Sequence, residues 1–304
     1  MPEPTCSAVS RALDEPLFAT ASRVHAWVLI EQPGPWGSEA LLQSRLDPVA
    51  GRALHQRAHA VGVRVVLIRR PGRTPPGPRR AFLAHTSRQG RWLEELPLGD
   101  PDELLALDWT RLADPSPPGY GVPAGGTLYL ACTNGRHDQC CATWGRPLAQ
   151  ELAGLLGDRL WECSHIGGDR FAGNLVCLPD GVYYGRLGPA EARRVVALHE
   201  RGRLDIEHYR GRCWYPPAVQ AAEHFLRRER ALTGLDDLVA SSREADAGGV
   251  VAVRFAAGAH GRWRVRLRAT AADTGHRLTC QATRQHRPPV YHLLDLTRLE
   301  PSGR

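Results

Sequence analysis

The sequence predicts an α/β fold made of two related α/β units, followed by a small antiparallel β extension at the C-terminus. Three observations lead there. Short apolar strands and helical stretches with apolar residues on one face alternate twice along the chain, as in successive βαβ-type units. Trp36-Gly37 and Trp144-Gly145 stand at matching helix entries in the two copies. Beyond residue 250 apolar and polar residues alternate, which is the pattern of half-exposed antiparallel strands.

In the first unit His25–Ile30 reads as a strand, and Pro35-Trp36-Gly37 precedes a helical stretch from about Ser38. Val63–Ile68 and Arg80–Ala84 follow as strands, with a Pro/Gly/Arg loop from Pro71 to Pro78 between them. Ala113–Gly126, rich in Pro and Gly, links the halves. The second unit opens with the strand Thr127–Ala131, which ends at Cys132, and a polar loop leads to Cys140 and Cys141. Pro147 stands where a first helical position is expected. Leu148, Leu152 and Leu155 then recur at helical spacing until Gly157 stops the helix. Leu160–Cys163 is a strand running into the loop Ser164–Arg170. Asn174–Leu178 and Val182–Gly185 form a hairpin around the Asp180-Gly181 turn, and Pro189 opens a helix closed by Gly202. A helix runs from Pro216-Pro217 through Val219, Ala222 and Leu226 to Gly234. Ser241–Gly249 reads as a second linker, and Val250–Phe255, Trp263–Leu267 and Arg277–Cys280 as the final strands. The expected division is therefore 1–120, 121–240 and 250–304. An ancient duplication and a chance likeness between two α/β units both account for the echo.

Composition narrows the function classes. At 304 residues, 42% hydrophobic and 23% charged, the chain has the make-up of a soluble globular protein with ample core. No run approaches the ~18 apolar residues of a membrane span. The first residues carry Glu3, Asp14 and Glu15 rather than a basic and then apolar pattern, so a cytoplasmic location is expected. The formal charge of +7 rests entirely on arginine, since there is no lysine. The arginines are scattered, no nucleic-acid motif accompanies them, and a solvated basic surface accounts for them.

Cysteine usage is the informative signal. In a cytoplasmic chain structural disulfides are not expected, so clustered cysteines suggest metal, cluster or redox chemistry. Of the eight cysteines, Cys132, Cys140, Cys141 and Cys163 fall within one stretch, while Cys6, Cys177, Cys213 and Cys280 are dispersed. The positive end of a helix beside Cys140 and Cys141 lowers thiol pKa and favours metal binding or redox reactivity. The strand ending at Cys163 delivers His165 to a loop in which Gly167 and Gly168 let the backbone close around a bulky group. Thiolates with imidazole suit zinc or an iron–sulfur cluster, whereas no C-x-x-C pair is present to mark a zinc ribbon or a dithiol oxidoreductase. Cys6 and Cys280 are expected to be small apolar residues, and His224 a surface or satisfied one. Cys213-Trp214-Tyr215 either covers the cluster loop or packs a hairpin.

The stretch from Cys132 to Leu148 (Cys-Thr-Asn-Gly-Arg-His-Asp-Gln-Cys-Cys-Ala-Thr-Trp-Gly-Arg-Pro-Leu) and the stretch Trp161–Ala172 (Trp-Glu-Cys-Ser-His-Ile-Gly-Gly-Asp-Arg-Phe-Ala) resemble the sucrase/ferredoxin-like family. The likeness continues through Tyr184-Gly-Arg186 and Arg210–Glu223. It implies a thioredoxin-like ferredoxin fold and, as in the fungal branch, a [2Fe-2S] cluster held by two cysteines and two histidines. Carried over position by position, the ligands are Cys132, Cys141 (with Cys140 as the alternative) and His165. The second family histidine falls on Asp169. Asp169 could ligate through a carboxylate oxygen, a hard ligand and a poor match to iron–sulfide, and Cys163 and Cys177 are the alternates. The functional expectation is an electron carrier served by a flavin- or NAD(P)H-dependent reductase, because the chain has no dinucleotide fingerprint of its own. The competing expectation is a metal-free thioredoxin-like thiol-redox or interaction protein. No paired-carboxylate signature supports sugar hydrolysis.

Overall fold

A computed structural model of the chain describes residues 3–72 and 77–300. The elements are α1 (Cys6–Ala12), β1 (Ala26–Glu31), α2 (Pro48–Val61), β2 (Val63–Arg69), β3 (Arg79–Thr86), β4 (Arg91–Leu98) and β5 (Val122–Pro123), then β6 (Leu128–Cys132), α3 (Gln139–Leu156), β7 (Leu160–Cys163), β8 (Leu175–Leu178) and β9 (Val182–Tyr184). They are followed by α4 (Pro189–His199), β10 (Tyr209–Arg212), α5 (Pro217–Arg230) and the strands β11 (Val239–Ala245), β12 (Val250–Ala256), β13 (Arg262–Ala271) and β14 (Pro289–Leu299). The fold is mixed α/β. A ten-stranded sheet has the order β10-β9-β8-β6-β7-β2-β1-β3-β4-β5, and a separate four-stranded antiparallel sheet has the order β11-β12-β13-β14.

The large sheet contains one arrangement twice. β1 pairs parallel with β2 and antiparallel with β3, which pairs with β4. β6 likewise pairs parallel with β7 and antiparallel with β8, which pairs with β9. The two arrangements meet where β2 lies antiparallel to β7, through Ile68 opposite Cys163 and Arg69 opposite Glu162. The period-two alternation of side chains divides the core. Ala26, Val28 and Ile30 pack with Leu54 and Ala58 of α2, while Tyr129 and Ala131 pack with Leu148, Leu152 and Val195 from α3 and α4. Trp27, Leu29, Leu130, Cys132, Trp161 and Cys163 belong to a third cluster, shared with α5 and the second sheet.

Several expectations are corrected. The helix expected from Ser38 starts instead at Pro48, where Asp47 accepts from the amides of Val49 and Ala50 and Pro48 pre-sets the first turn. The helix expected from Pro147 begins at Gln139, because Asp138 caps it through the Cys140 amide at 2.8 Å; Pro147 lies inside. Trp144-Gly145 is therefore mid-helix and Trp36-Gly37 is in a loop, so that part of the echo has no structural counterpart. β4 is a strand that the sequence reading does not contain, and β5 arises inside the Ala113–Gly126 linker. The second linker is largely strand β11. Arg277–Cys280 is no strand but a turn held against the start of α3, and β14 is the strand that completes the small sheet. Part of the Pro71–Pro78 loop lies outside the described residues. Among the described residues no helix is long and apolar enough to cross a membrane.

Candidate metal centre

Strands β6 and β7 run parallel with Cys132 opposite Cys163 at their C-terminal ends, and α3 starts beside them. The approach of α3 is close because residue 145 is glycine: a Cβ there would collide with the carbonyl oxygen of Cys132. The first turn of α3 thus delivers Cys141 to Cys132. All three thiols are buried. Hydrogen bonds from Cys141 and then Cys163 hold the Cys132 thiol well below its ordinary value, against the effect of burial. Those same contacts push Cys141 up through Cys132, while Cys163 is pushed up by its burial first and by Cys132 next.

The loop after β7 supplies the other side of the site. Gly167 and Gly168 have φ of +94° and +82°, the left-handed region that a side chain resists, and together they turn the chain so that His165 and Asp169 converge. The buried Arg210 braces this turn by donating to Gly167 O at 3.0 Å and Asn174 Oδ1 at 2.8 Å, and Asn174 donates to Gly168 O at 2.9 Å. Asp169 is 2% exposed at its side chain and sits among the other groups. Its Oδ1 is 3.2 Å from Cys141 Sγ and 3.0 Å from His165 Nδ1, and its Oδ2 is 3.6 Å from His137 Nε2. Burial alone would raise the Asp169 carboxyl, but the histidines and Cys141 hold it far below the usual carboxylate range.

His137 is the residue that sequence reasoning missed. It lies in the loop between Cys132 and α3, and its ring packs on that of His165 with centroids 3.7 Å apart. Its Nδ1 lies 3.0 Å from the Ser38 carbonyl, which as acceptor fixes the proton there and leaves Nε2 aimed at Asp169. Asp169 holds its pKa up at about 9. The available signal was a histidine midway between two candidate cysteines.

Of the predicted residues, the structure brings Cys132, Cys141, His165 and Asp169 together, with Cys163 against Cys132. Cys177 is excluded from this group, because it points into the α3/α4 side of the sheet beside Tyr129 and Val182. Cys140 points away from its neighbour Cys141. Its Sγ is 3.6 Å from Cys6 Sγ and 3.5 Å from Cys280 Sγ, with the Asp138 carboxylate alongside. The expectation that Cys6 and Cys280 are isolated apolar residues is therefore overturned; three segments far apart in sequence converge on a group able to hold a metal ion. A hydrogen bond with Cys6 brings the Cys140 thiol down to about 6 and holds Cys6 up. His224 is buried rather than on the surface, stacked on Phe18 at 4.1 Å, with its Nδ1 lacking a partner. Cys213 donates to Thr86 Oγ1 at 3.2 Å and packs at the Gly181 turn, away from the His165 loop.

The residues of the first site suit a redox metal group in their chemistry. Two thiols and two imidazoles surround Asp169, and the His137, His165 and Asp169 ligand atoms lie close enough together to hold a metal ion. Both histidine side chains are about 30% exposed, opening on a groove lined by Ser38, Leu41, His55 and Ser164.

Compared with known protein families, residues 17–211 match the model of the family described as sucrase/ferredoxin-like. No curated protein and no solved structure matches the chain.

Proposed function

The chain belongs to the sucrase/ferredoxin-like family, and from that premise we propose that it is an electron-transfer protein carrying a [2Fe-2S] cluster in a thioredoxin-like ferredoxin unit spanning 121–240. The observation that carries this reading is the donor set of Cys132, Cys141, His165 and His137 around Asp169. The position of the family's second histidine is Asp169, and His137 offers the missing imidazole from the preceding loop. Cys132 and Cys141 would hold the group on the thiol side, and His165 and His137 on the side facing the groove. Bound there, the cluster supplies a one-electron couple, with a potential raised by imidazole in place of thiolate. Asp169 acts as a positioning residue that orients the His165 ring through Nδ1, and Ser38 holds the His137 ring through its Nδ1. A separate reductase supplies the electrons, in a cytoplasmic setting. The metal-free thiol-redox reading draws support from the lowered Cys132 thiol, but Cys132, Cys141 and Cys163 are all 1% exposed or less, which closes them to a disulfide-bearing partner.

The test is purification without oxygen, with iron and acid-labile sulfide assayed beside the visible spectrum. Cys132→Ser and Cys141→Ser should each bleach the protein, and Cys140→Ser should not. His137→Ala should lower the iron content, and adding Asp169→His to it should restore the colour. A colourless, iron-free chain after reconstitution would end the reading.

A further inference from the structure

The three cysteines that meet beside α3 form a second site, independent of the iron–sulfur reading. Cys6 comes from the start of α1, Cys140 from the first turn of α3, and Cys280 from the turn before β14. Their sulfurs form a nearly equilateral triangle: Cys6 to Cys140 is 3.6 Å, Cys140 to Cys280 is 3.5 Å, and Cys280 to Cys6 is 3.5 Å. Three unbonded thiols this close gain little from one another, since S–H is a weak donor and sulfur a weak acceptor. A tetrahedral zinc with Zn–S of about 2.3 Å holds its sulfurs about 3.8 Å apart, close to the observed edges. With Zn–O of about 2.0 Å, the sulfur-to-oxygen separation is about 3.5 Å. Asp138 Oδ2 lies 3.5 Å from Cys6 Sγ, and the four ligand atoms lie within 4.8 Å of one another.

The surroundings are those of a thiolate cage. The Cys6 amide donates to Cys280 Sγ at 3.4 Å, and the Cys280 amide donates to Asp138 Oδ2 at 2.6 Å. Such outer contacts orient metal ligands and hold their charge. The core at this point is thin: among the described residues Ala172 is the one other buried apolar residue in the cluster, so apolar packing alone is a weak reason for three chain segments to meet here.

We propose that Cys6, Cys140, Cys280 and Asp138 bind one structural zinc ion, which staples the N-terminal helix and the 278–282 turn to the start of α3. The vicinal pair is thereby divided, with Cys140 serving this site and Cys141 the other. The chemistry requires a closed four-ligand site with no open position for substrate.

The experiment measures zinc per chain by elemental analysis of the full-length protein, and then replaces zinc with Co²⁺ to read the ligand field. One zinc per chain and the visible bands of tetrahedral thiolate cobalt are expected. Cys6→Ser and Cys280→Ser should each release the zinc and leave iron content unchanged, while Cys132→Ser should do the reverse. Asp138→Asn keeps the helix cap and should weaken zinc binding by roughly tenfold or more. Because iron and zinc are read separately, failure of one assignment leaves the other standing. Three outcomes would each overturn the proposal: a zinc-free chain that gives no thiolate–cobalt spectrum, a disulfide joining two of the three cysteines in the native protein, or full zinc retention in Cys280→Ser.

Discussion

Burial on α5 against Phe18 brings the His224 imidazole down to about 4 from 6.5. The unfolded chain therefore binds a proton between those values that the folded chain refuses, so stability is full above about pH 6.5 and declines as pH falls toward 4. The decline amounts to about 3 kcal/mol from this one group. His224→Phe, which keeps the stack on Phe18, should flatten that acid limb; urea midpoints at pH 7 and pH 4.5 measure it, and equal slopes in variant and parent would disprove it. His224 also shows why single residues are hard to read from sequence. Its ring shares a helix with Arg227, Arg228 and Arg230, the signature of a solvated face, yet α5 is covered by the second sheet and the N-terminal segment. The same holds for Cys6 and Cys280. Nothing local distinguishes them from small apolar residues, and their chemistry exists only through positions 140 and 138.

At the scale of elements, most strands of the repeated units are legible, because short β-branched and aromatic runs are bounded by turn residues. Helix starts are less so. For α3 the proline at 147 outweighs the Asp138 cap on paper, whereas the cap hydrogen bond and the packing of Cys140 and Cys141 decide the start in the fold. The close crossing of α3 over β6 gives a sharp test. Gly145→Ala puts a methyl group into the Cys132 carbonyl, and should cost ~1–3 kcal/mol while lowering iron content. Thermal unfolding and iron assay read both, and a fully stable, fully loaded variant would refute the packing argument. On the opposite side, α5 is tied to β10 by a buried carboxylate. Glu223 accepts from Tyr209 Oη at 2.8 Å and from Arg227 Nη2 at 2.9 Å, and Arg212 Nε lies 3.8 Å away. Glu223→Ala removes the carboxylate that pairs with buried Arg227 and leaves buried Arg212 with Asp236 alone, and a loss of ~3–5 kcal/mol in denaturant unfolding is expected. Arg227→Met combined with Glu223→Leu should recover much of it.

For the whole molecule, the α/β class and the two-unit plan are visible in the order of strands and helices, but their union in one sheet is not. That union depends on a two-residue pairing whose partners are ninety-odd positions apart, and no periodicity reports such a contact. Arg69 and Glu162 reinforce it through an ion pair at 2.6 Å, with Thr133 Oγ1 donating to the same carboxylate at 2.9 Å. Arg69→Ala and Glu162→Gln should therefore be non-additive by ~1 kcal/mol in a double-mutant cycle, and strict additivity would argue against the pair. The seam also determines how the two units depend on each other. The first unit, which supplies none of the ligands proposed for the iron centre, holds the His137 loop through Ser38 to His137 and Gly37 to Asn134, and the Leu67 amide and carbonyl bind Ser164 beside His165. A mutation in residues 35–69 can therefore cripple the centre without touching a ligand. The first unit is thus a structural part of the candidate centre, although every ligand proposed for that centre lies in the second.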